Sequence, residues 1–359
     1  MSRTYLDYNA TAPLRAEARA AMIEAMDVAG NPSSVHAEGR AAKALIERSR
    51  AQVAEAVGCK PQEVIFTSGA TEAARVLNFA HDGMDVLVDE TAHDALWVQA
   101  KMHSWPDHPF GPGHTLAMGL ANSETGLITQ PPEKLDSQYP FGQARADRLC
   151  LDITQAIGRI PFSFAWSGAD MAVLSAHKLG GPKGVGALIL RQGIDIAPLN
   201  MGGGQEMGRR SGTENVIGIA GFGAAIEAAM QDLADGKWQD IEKLRNILEK
   251  TIEESTKETI FVGKSEQRLP NTSCILTSGW KGETQVMQMD LAGFAISAGS
   301  ACSSGKVKSS RVLSAMGYND SQAASAIRVS LGLQTTEDDV RQFANSWLVA
   351  EKKHRARVA

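Results

Sequence analysis

The sequence predicts an α/β fold: an open, mostly parallel sheet flanked by helices, together with a smaller α+β domain. Three observations predict it. Short apolar runs recur at strand length, at Val64 to Phe66, Asp85 to Val88, Leu116 to Leu120, Leu149 to Leu151, Met171 to Leu174 and Val185 to Leu190. Helical stretches alternate with them, and strands joined by helical crossovers pair in parallel. Finally, Thr71, His93, Asp152, Gln155 and Lys178 each fall just after an expected strand. In a parallel sheet the carboxyl ends of the strands form the crevice where chemistry collects.

The chain's 359 residues, 43% of them hydrophobic, suffice for two domains, or for one large domain with a smaller companion. A formal net charge of −5 gives no electrostatic reason to expect nucleic acid or an anionic membrane as partner. The basic end, Lys352 to Arg357, reads as a helix C-terminus complementing its dipole, or as a frayed tail. No apolar run approaches the length needed to cross a bilayer, and MSRTYLDYNA lacks the apolar core of a signal peptide, so a cytoplasmic location is expected. Cys59, Cys150, Cys274 and Cys302 are widely spaced with no CxxC pair, which indicates neither a disulfide framework nor a zinc site.

Taken in order, the chain opens with an extended piece, YLDYNATAPL, followed by an alanine-rich helix from Arg15 to Asp27. GNPSSVH is a loop in which Ser33 or Ser34 is expected to cap the long helix carrying Ala41 to Val57. The strand at Val64 to Phe66 runs into Thr-Ser-Gly-Ala-Thr and a helix, the layout of a phosphate cradle. Amides at the helix start point outward, Gly69 lets the backbone approach, and Thr71 adds a donor. An ordinary turn capped by Ser68 or Thr71 would read the same way. His93 stands near the start of the next helix, as a cap, a core residue or a catalytic group. Gly202 to Gly204 and then Arg210-Ser-Gly-Thr213 precede a small-residue helix from Val216 to Met230; with no clean strand before it and no GxGxxG spacing, this is not a dinucleotide fingerprint. An amphipathic helix from Lys237 to Glu254 and strands near Ile260 to Val262 and Cys274 to Thr277 mark the smaller domain.

Two stretches carry candidate reactive groups. Ser175-Ala-His-Lys-Leu-Gly-Gly-Pro-Lys183 sets Lys178 at the end of an apolar run, before residues that turn the chain sharply. A lysine fixed there with its ammonium partly desolvated can act as a nucleophile or Schiff-base former; a solvated lysine in a glycine turn is the plain alternative. The second stretch, FAISAGSACSSGKVKSS, holds Cys302 among small residues with Lys306 and Lys308 nearby, which suits a mobile, exposed thiol with its thiolate favoured. Cys150 and Cys274 lie in apolar runs and are expected to be inert core thiols, while Cys59 sits in a turn. Arg328 falls within the apolar strand AIRVSLGL, where its charge demands an anionic partner, either a structural carboxylate or a substrate.

YLDYNATAPL, GNPSSVHAEGRAAK, FTSGATEA, ANSETG, LDITQAIG, SAHKLGGPKGVGAL, GGGQEMGRRSGTEN, SAGSACSSG and AIRVSLG occur in one order along nearly the whole chain. Together they resemble the cysteine desulfurases of the class V aminotransferase family, enzymes that use pyridoxal 5′-phosphate (PLP) on the type I fold. The resemblance implies a large PLP-binding domain over 14–232, with a mostly parallel, seven-stranded-type sheet. Residues 1–13 and 233–359 would form the small domain that carries the cysteine loop. It implies that Lys178 binds the cofactor aldehyde and later moves the substrate Cα proton, that Asp152 pairs with the pyridine nitrogen, and that Gln155 donates to the ring hydroxyl. His93 would stack on the ring and assist proton transfer. Gly69, Ala70, Thr71, Ser175 and His177 would hold the phosphate, and Thr213 would reach the phosphate of a neighbouring subunit, which implies a homodimer. Arg328 would bind the carboxylate of L-cysteine. Cys302 would take the sulfur as a persulfide, leaving alanine, and its loop would carry that sulfur to an acceptor such as an iron–sulfur scaffold protein.

Two departures stand out. The family pattern has two asparagines before the glutamate of ANSETG, the second contacting the cofactor hydroxyl and the substrate carboxylate; here Asn122 is followed by Ser123. Weaker cysteine binding is expected unless Asn122 or a water substitutes, and an apparent affinity unmoved by Ser123→Asn would refute this. The segment from His93 to Asn122 is also shorter than in family members, and Pro106, Pro109 and Pro112 argue against a long helix there. A selenocysteine lyase would use the same lysine and aspartate. A PLP transaminase would need no cysteine in the loop. A non-catalytic PLP-fold partner of sulfur-transfer machinery would not need Lys178, Asp152, Gln155, His93 and Cys302 together.

Overall fold

In the larger part of the chain, six runs of Val, Leu, Ile, Ala and Met form strands: β1 (Val64–Thr67), β2 (Val86–Val88), β3 (Thr115–Gly119), β4 (Arg148–Asp152), β5 (Met171–Ser175) and β6 (Gly186–Leu190). Most of their residues are buried without alternation, as in a sheet covered on both faces. The computed structural model describes residues 3–79, 86–100, 114–299 and 309–358. Two units make up the chain: Pro13–Leu120 with Thr129–Leu233, and Met1–Ala12 with Ala121–Ile128 and Ala234–Ala359. The assignment of Ala121–Ile128 to the second unit had no signal in the sequence.

The large unit's sheet has the order β1-β6-β5-β4-β3-β2. Strand β6 runs antiparallel to both neighbours, and the other pairings are parallel. Six strands stand among the described residues where a seven-stranded-type sheet was expected. Ile65, Val88, Leu96, Ala117, Val173 and Leu188 belong to the core packed on it.

Helices of this unit include α1 (Ala16–Met26), α2 (Ala37–Val57), α3 (Ala70–Ala73), α4 (Asp94–Trp97) and α5 (Val216–Ala234). Neither Ser33 nor Ser34 caps α2. The cap is His36, whose side chain accepts from the Gly39 amide. The Asn31 side chain and carbonyl accept from the amides of Ser33 and Ser34, so these serines close a turn and the helix starts later. At the other end Gly58 takes the left-handed conformation, φ +73°, that ends a helix.

Helix α5 corrects the expectation that no apolar run is long enough to cross a bilayer. By length and composition its 19 residues are sufficient, but more than half of them are buried inside the protein. Glycines let neighbouring helices approach it closely: a Cβ at Gly221 would lie 2.6 Å from Met22 Cγ of α1, and one at Gly223 would lie 2.8 Å from Ser49 Cβ of α2. These are the contacts of a core helix.

In the second unit, β7 (Thr259–Phe261), β8 (Thr272–Thr277), β9 (Ser297–Ala298) and β10 (Ala326–Ser330) form an antiparallel sheet of order β7-β8-β10-β9. Its helices include α6 (Lys237–Glu253), α7 (Gly282–Leu291) and α8 (Glu337–Val358). The basic end is part of α8, with Glu337, Asp338 and Asp339 in the first turn and Arg355 and Arg357 in the last, the distribution that complements a helix dipole. Of the extended opening, Thr4–Tyr5 forms a short strand pairing with Phe294–Ala295. Pro106, Pro109 and Pro112, and Cys302 with Lys306 and Lys308, lie outside the described residues.

Candidate active site

Sheet register brings most of the expected site residues of the large unit to one edge. Thr67, the last residue of β1, pairs with Gly186, which pairs with Ser175, the last residue of β5. Gly119, ending β3, pairs with Asp152, ending β4. His93 follows β2, Gln155 follows β4, and His177 and Lys178 follow β5. The expected crevice at the carboxyl ends is therefore where Gly69, Ala70, Thr71, His93, Asp152, Gln155, Ser175, His177 and Lys178 meet.

The cradle is built on backbone contact. A Cβ on Gly186 would lie 2.6 Å from Gly69 Cα and 2.5 Å from the Leu174 carbonyl, so no other residue could stand there without displacing the loop. Helix α3 starts at Ala70 with Gly69 as its N-cap and no side-chain cap, which removes Ser68 and Thr71 as capping residues. As first-turn positions, the Ala70 and Thr71 amides have no carbonyl one turn back to bond, and Thr71 is exposed. The Ser68 amide instead donates to Glu72 Oε2 at 2.6 Å. Glu72 Oε1 accepts from Arg210 Nε at 3.0 Å and Asn200 Nδ2 at 3.2 Å. Burial opposes the Glu72 charge, but the bonds from Arg210 and Ser68 outweigh it and hold the carboxyl below its usual range. The Arg210 charge is thus matched within the large unit.

After β5 the chain makes a single 3₁₀ turn, Ala176–Lys178, and the Gly181 amide closes back on the Ala176 carbonyl at 2.9 Å. Gly180, at φ +90°, supplies the left-handed step of this bend. Lys178 is half-buried, and its carbonyl accepts from Arg159 Nη2 at 2.9 Å. His177 has its pKa pulled down to about 4, first by burial and then by the charges of Lys178 and Lys183, so its ring is neutral at physiological pH. Asp152 is buried, and its Oδ1 accepts from the Thr154 amide at 2.9 Å. Gln155 Oε1 accepts from Arg159 Nη1. His93 caps α4, its Nδ1 accepting from the Ala95 amide at 3.1 Å, which leaves Nε2 as the protonated nitrogen of the neutral ring.

Thr213 is exposed in the loop before α5. That loop is pinned by Glu206, buried and paired through both oxygens with Arg50 at 2.7 and 2.8 Å, with Oε2 also accepting from the Phe66 amide at 2.8 Å. Glu206 and Met207 both adopt left-handed backbone, φ +48° and +57°, a strained conformation for residues with side chains.

The expected substrate residues belong to the other unit. Arg328 Nη2 donates to Asp7 Oδ1 at 2.7 Å and its Nη1 to the Ser123 carbonyl at 3.0 Å. Of the two partners foreseen for this arginine, the structural carboxylate is present. Its Nε is buried with no hydrogen-bond partner among the described residues. Asn122 Oδ1 accepts from the Glu124 and Thr125 amides, both at 2.9 Å, and so closes a local turn.

Burial raises the pKa of Cys150, Cys274 and Cys59, the last two to about 12, so none of them supplies a thiolate at neutral pH. Asp7, Arg159, Gly186 and Glu72 were not singled out in the sequence. Arg159 had a visible signal, since it stands four residues after Gln155.

A backbone cradle with helix-start amides, a half-buried lysine on a fixed turn, a buried carboxylate, an amide and an imidazole make a donor set that fits PLP: phosphate, aldehyde, ring nitrogen, ring hydroxyl and ring face in turn. The aminotransferase class-V family model matches residues 4–104 and 114–343. The chain belongs to the class-V aminotransferase family. Members of that family are PLP enzymes on an α/β fold. The chain is 38% identical to a cysteine desulfurase of Frankia sp. (strain EuIK1), over 98% of its own length and 92% of the relative's. Against the cysteine desulfurase IscS of Dictyoglomus turgidum the identity is 36%, covering 94% and 91%. Among solved structures it resembles a NifS-like protein from Rickettsia africae, with a TM-score of 0.82 and 28% identity, covering 98% and 99% of the two chains.

Proposed function

We propose that this chain is a PLP-dependent cysteine desulfurase, which converts L-cysteine to L-alanine and passes the sulfur through Cys302 to an acceptor protein. The observation that carries it is the gathering of Lys178, Asp152, Gln155 and His93 beside the Gly69–Thr71 cradle, in a chain related over almost its full length to cysteine desulfurases. When bound, PLP withdraws electrons from the amino acid and so weakens the bonds at its Cα and Cβ. The amides of Ala70 and Thr71, with Ser175 and neutral His177, hold the phosphate. Asp152 keeps a proton on the ring nitrogen, its orientation set by the Thr154 amide. Lys178 Nζ binds the aldehyde and moves the Cα proton.

Arg328, held by Asp7 and the Ser123 carbonyl, takes the substrate carboxylate. The Cys302 thiolate attacks the sulfur of cysteine; a sulfur–sulfur bond forms as the carbon–sulfur bond breaks, and the carbon takes up a proton to give alanine. Ser123 in place of asparagine weakens substrate binding unless Asn122 or a water substitutes. Iron–sulfur cluster assembly is a fitting destination for the sulfur. A homodimer, in which Thr213 serves the partner's phosphate, and a cytoplasmic location are parts of the same reading.

The test is the release of alanine and sulfide from L-cysteine in the presence of a reductant. Wild type loaded with PLP should give the two in equal amounts, and Cys302→Ala should give neither. A PLP-loaded wild type that yields neither product would overturn the reading.

A further inference from the structure

Arg159 has no role in the chemistry above, yet it touches two of its participants. It is only 5% exposed. One of its terminal nitrogens, Nη1, donates to Gln155 Oε1, and the other, Nη2, donates to the Lys178 carbonyl at 2.9 Å. We propose that Arg159 is a positioning residue of the cofactor site, one that fixes which end of the Gln155 amide faces the cofactor and anchors the peptide of Lys178.

A carboxamide can turn over and present either oxygen or nitrogen. A guanidinium carries donors only, so Gln155 can meet it only with its oxygen, and Nε2 is directed away from Arg159. Nε2 is the end required to donate to the ring oxygen of bound PLP. The second bond acts on the backbone. Lys178 ends a single 3₁₀ turn two residues before the left-handed Gly180, and the bond from Arg159 holds its carbonyl there. Two bonds from one planar fork tie the β4 and β5 ends of the site together. A lysine ammonium, a single point charge, would hold them less firmly. The permanent charge also lies against the carbonyl of Lys178 itself, where it disfavours a second positive charge on that residue.

The inference rests on the PLP reading. The experiment uses the full chain, reconstituted with PLP, as wild type, Arg159→Met, Arg159→Lys and Gln155→Leu. Two quantities are read: the dissociation constant for PLP, and the pH midpoint of the absorbance change of the bound cofactor. Arg159→Met removes both donors and the charge, so the midpoint should rise by about one pH unit and PLP affinity fall about tenfold. Arg159→Lys should keep the midpoint near wild type, with a several-fold weaker affinity. Gln155→Leu should also weaken affinity, and adding it to Arg159→Met should cost little more, because the two act through one contact. A merely structural role would lower thermal stability without moving the pH midpoint, and that outcome overturns the proposal. If the methionine variant does not fold, an unchanged dissociation constant in Arg159→Lys overturns it. A wild type that binds no PLP defeats the functional reading as well, whereas binding that Arg159 variants leave untouched defeats this inference alone.

Discussion

Removing the Glu206 carboxylate should unfold more of the protein's stability than any single exposed ion pair could. The Glu206 and Arg50 side chains are 1% and 6% exposed, and two bonds of 2.7 and 2.8 Å join them. Glu206→Ala leaves a buried guanidinium with the half-exposed Glu47 at 3.3 Å as its charged partner and the Val64 carbonyl at 2.8 Å, and leaves the Phe66 amide in β1 without its acceptor. Breaking one side of a buried pair costs about 3–5 kcal/mol, and the Phe66 amide is part of that cost. In a unit of this size the loss lowers the melting midpoint by roughly 10 °C. The assay is urea and thermal unfolding of wild type, Glu206→Ala, Arg50→Met and the double variant Arg50→Met with Glu206→Leu. The double variant should lose less than the sum of the singles, since it buries no unmatched charge. Singles within 1 kcal/mol of wild type, on the scale set for exposed pairs, would refute the reasoning, as would a double variant worse than their sum.

Other expectations follow from the same site. His177 has a folded pKa near 4, below the unfolded value of 6.5, because burial and the neighbouring lysines favour the neutral ring. The unfolded chain therefore binds the extra proton first, and stability should be full above about pH 6.5 and decline as pH falls towards 4; His177→Asn should flatten the melting midpoint against pH over that window. His93→Ala loses the α4 cap at a cost of about 1 kcal/mol, whereas His93→Asn keeps the cap. Both should lose desulfuration, and an active, stable His93→Asn would reduce the residue to a cap. Gly186→Ala forces its methyl against the Gly69 backbone, so PLP retention should collapse; ultrafiltration of the loaded variant with PLP still bound would contradict the cradle.

Much of the large unit was legible because its signals are local. Apolar runs mark the strands, and the residues that follow them are carried to the carboxyl edge whatever the details of pairing. The antiparallel β6 was legible in principle, since the short link from Ser175 to Gly186 leaves no room for a helical crossover. Other features were hidden by competition or distance. The serines before α2 are plausible caps by type, but Asn31 claims them for a turn. Arg328 visibly required an anion, yet Asp7 lies 321 residues away, and only the folded sheet brings them together. Gly186 resembles any strand-edge glycine until the Gly69 backbone is seen against it.

The central claim is that Lys178 is the residue that binds PLP. Borohydride treatment of the PLP-loaded chain fixes the aldehyde on whichever amine holds it, and peptide mass spectrometry then finds that amine. The account predicts one label, on the peptide containing Lys178, absent from Lys178→Ala. A label on Lys183 or another lysine, or none in a chain that retains PLP, would contradict it.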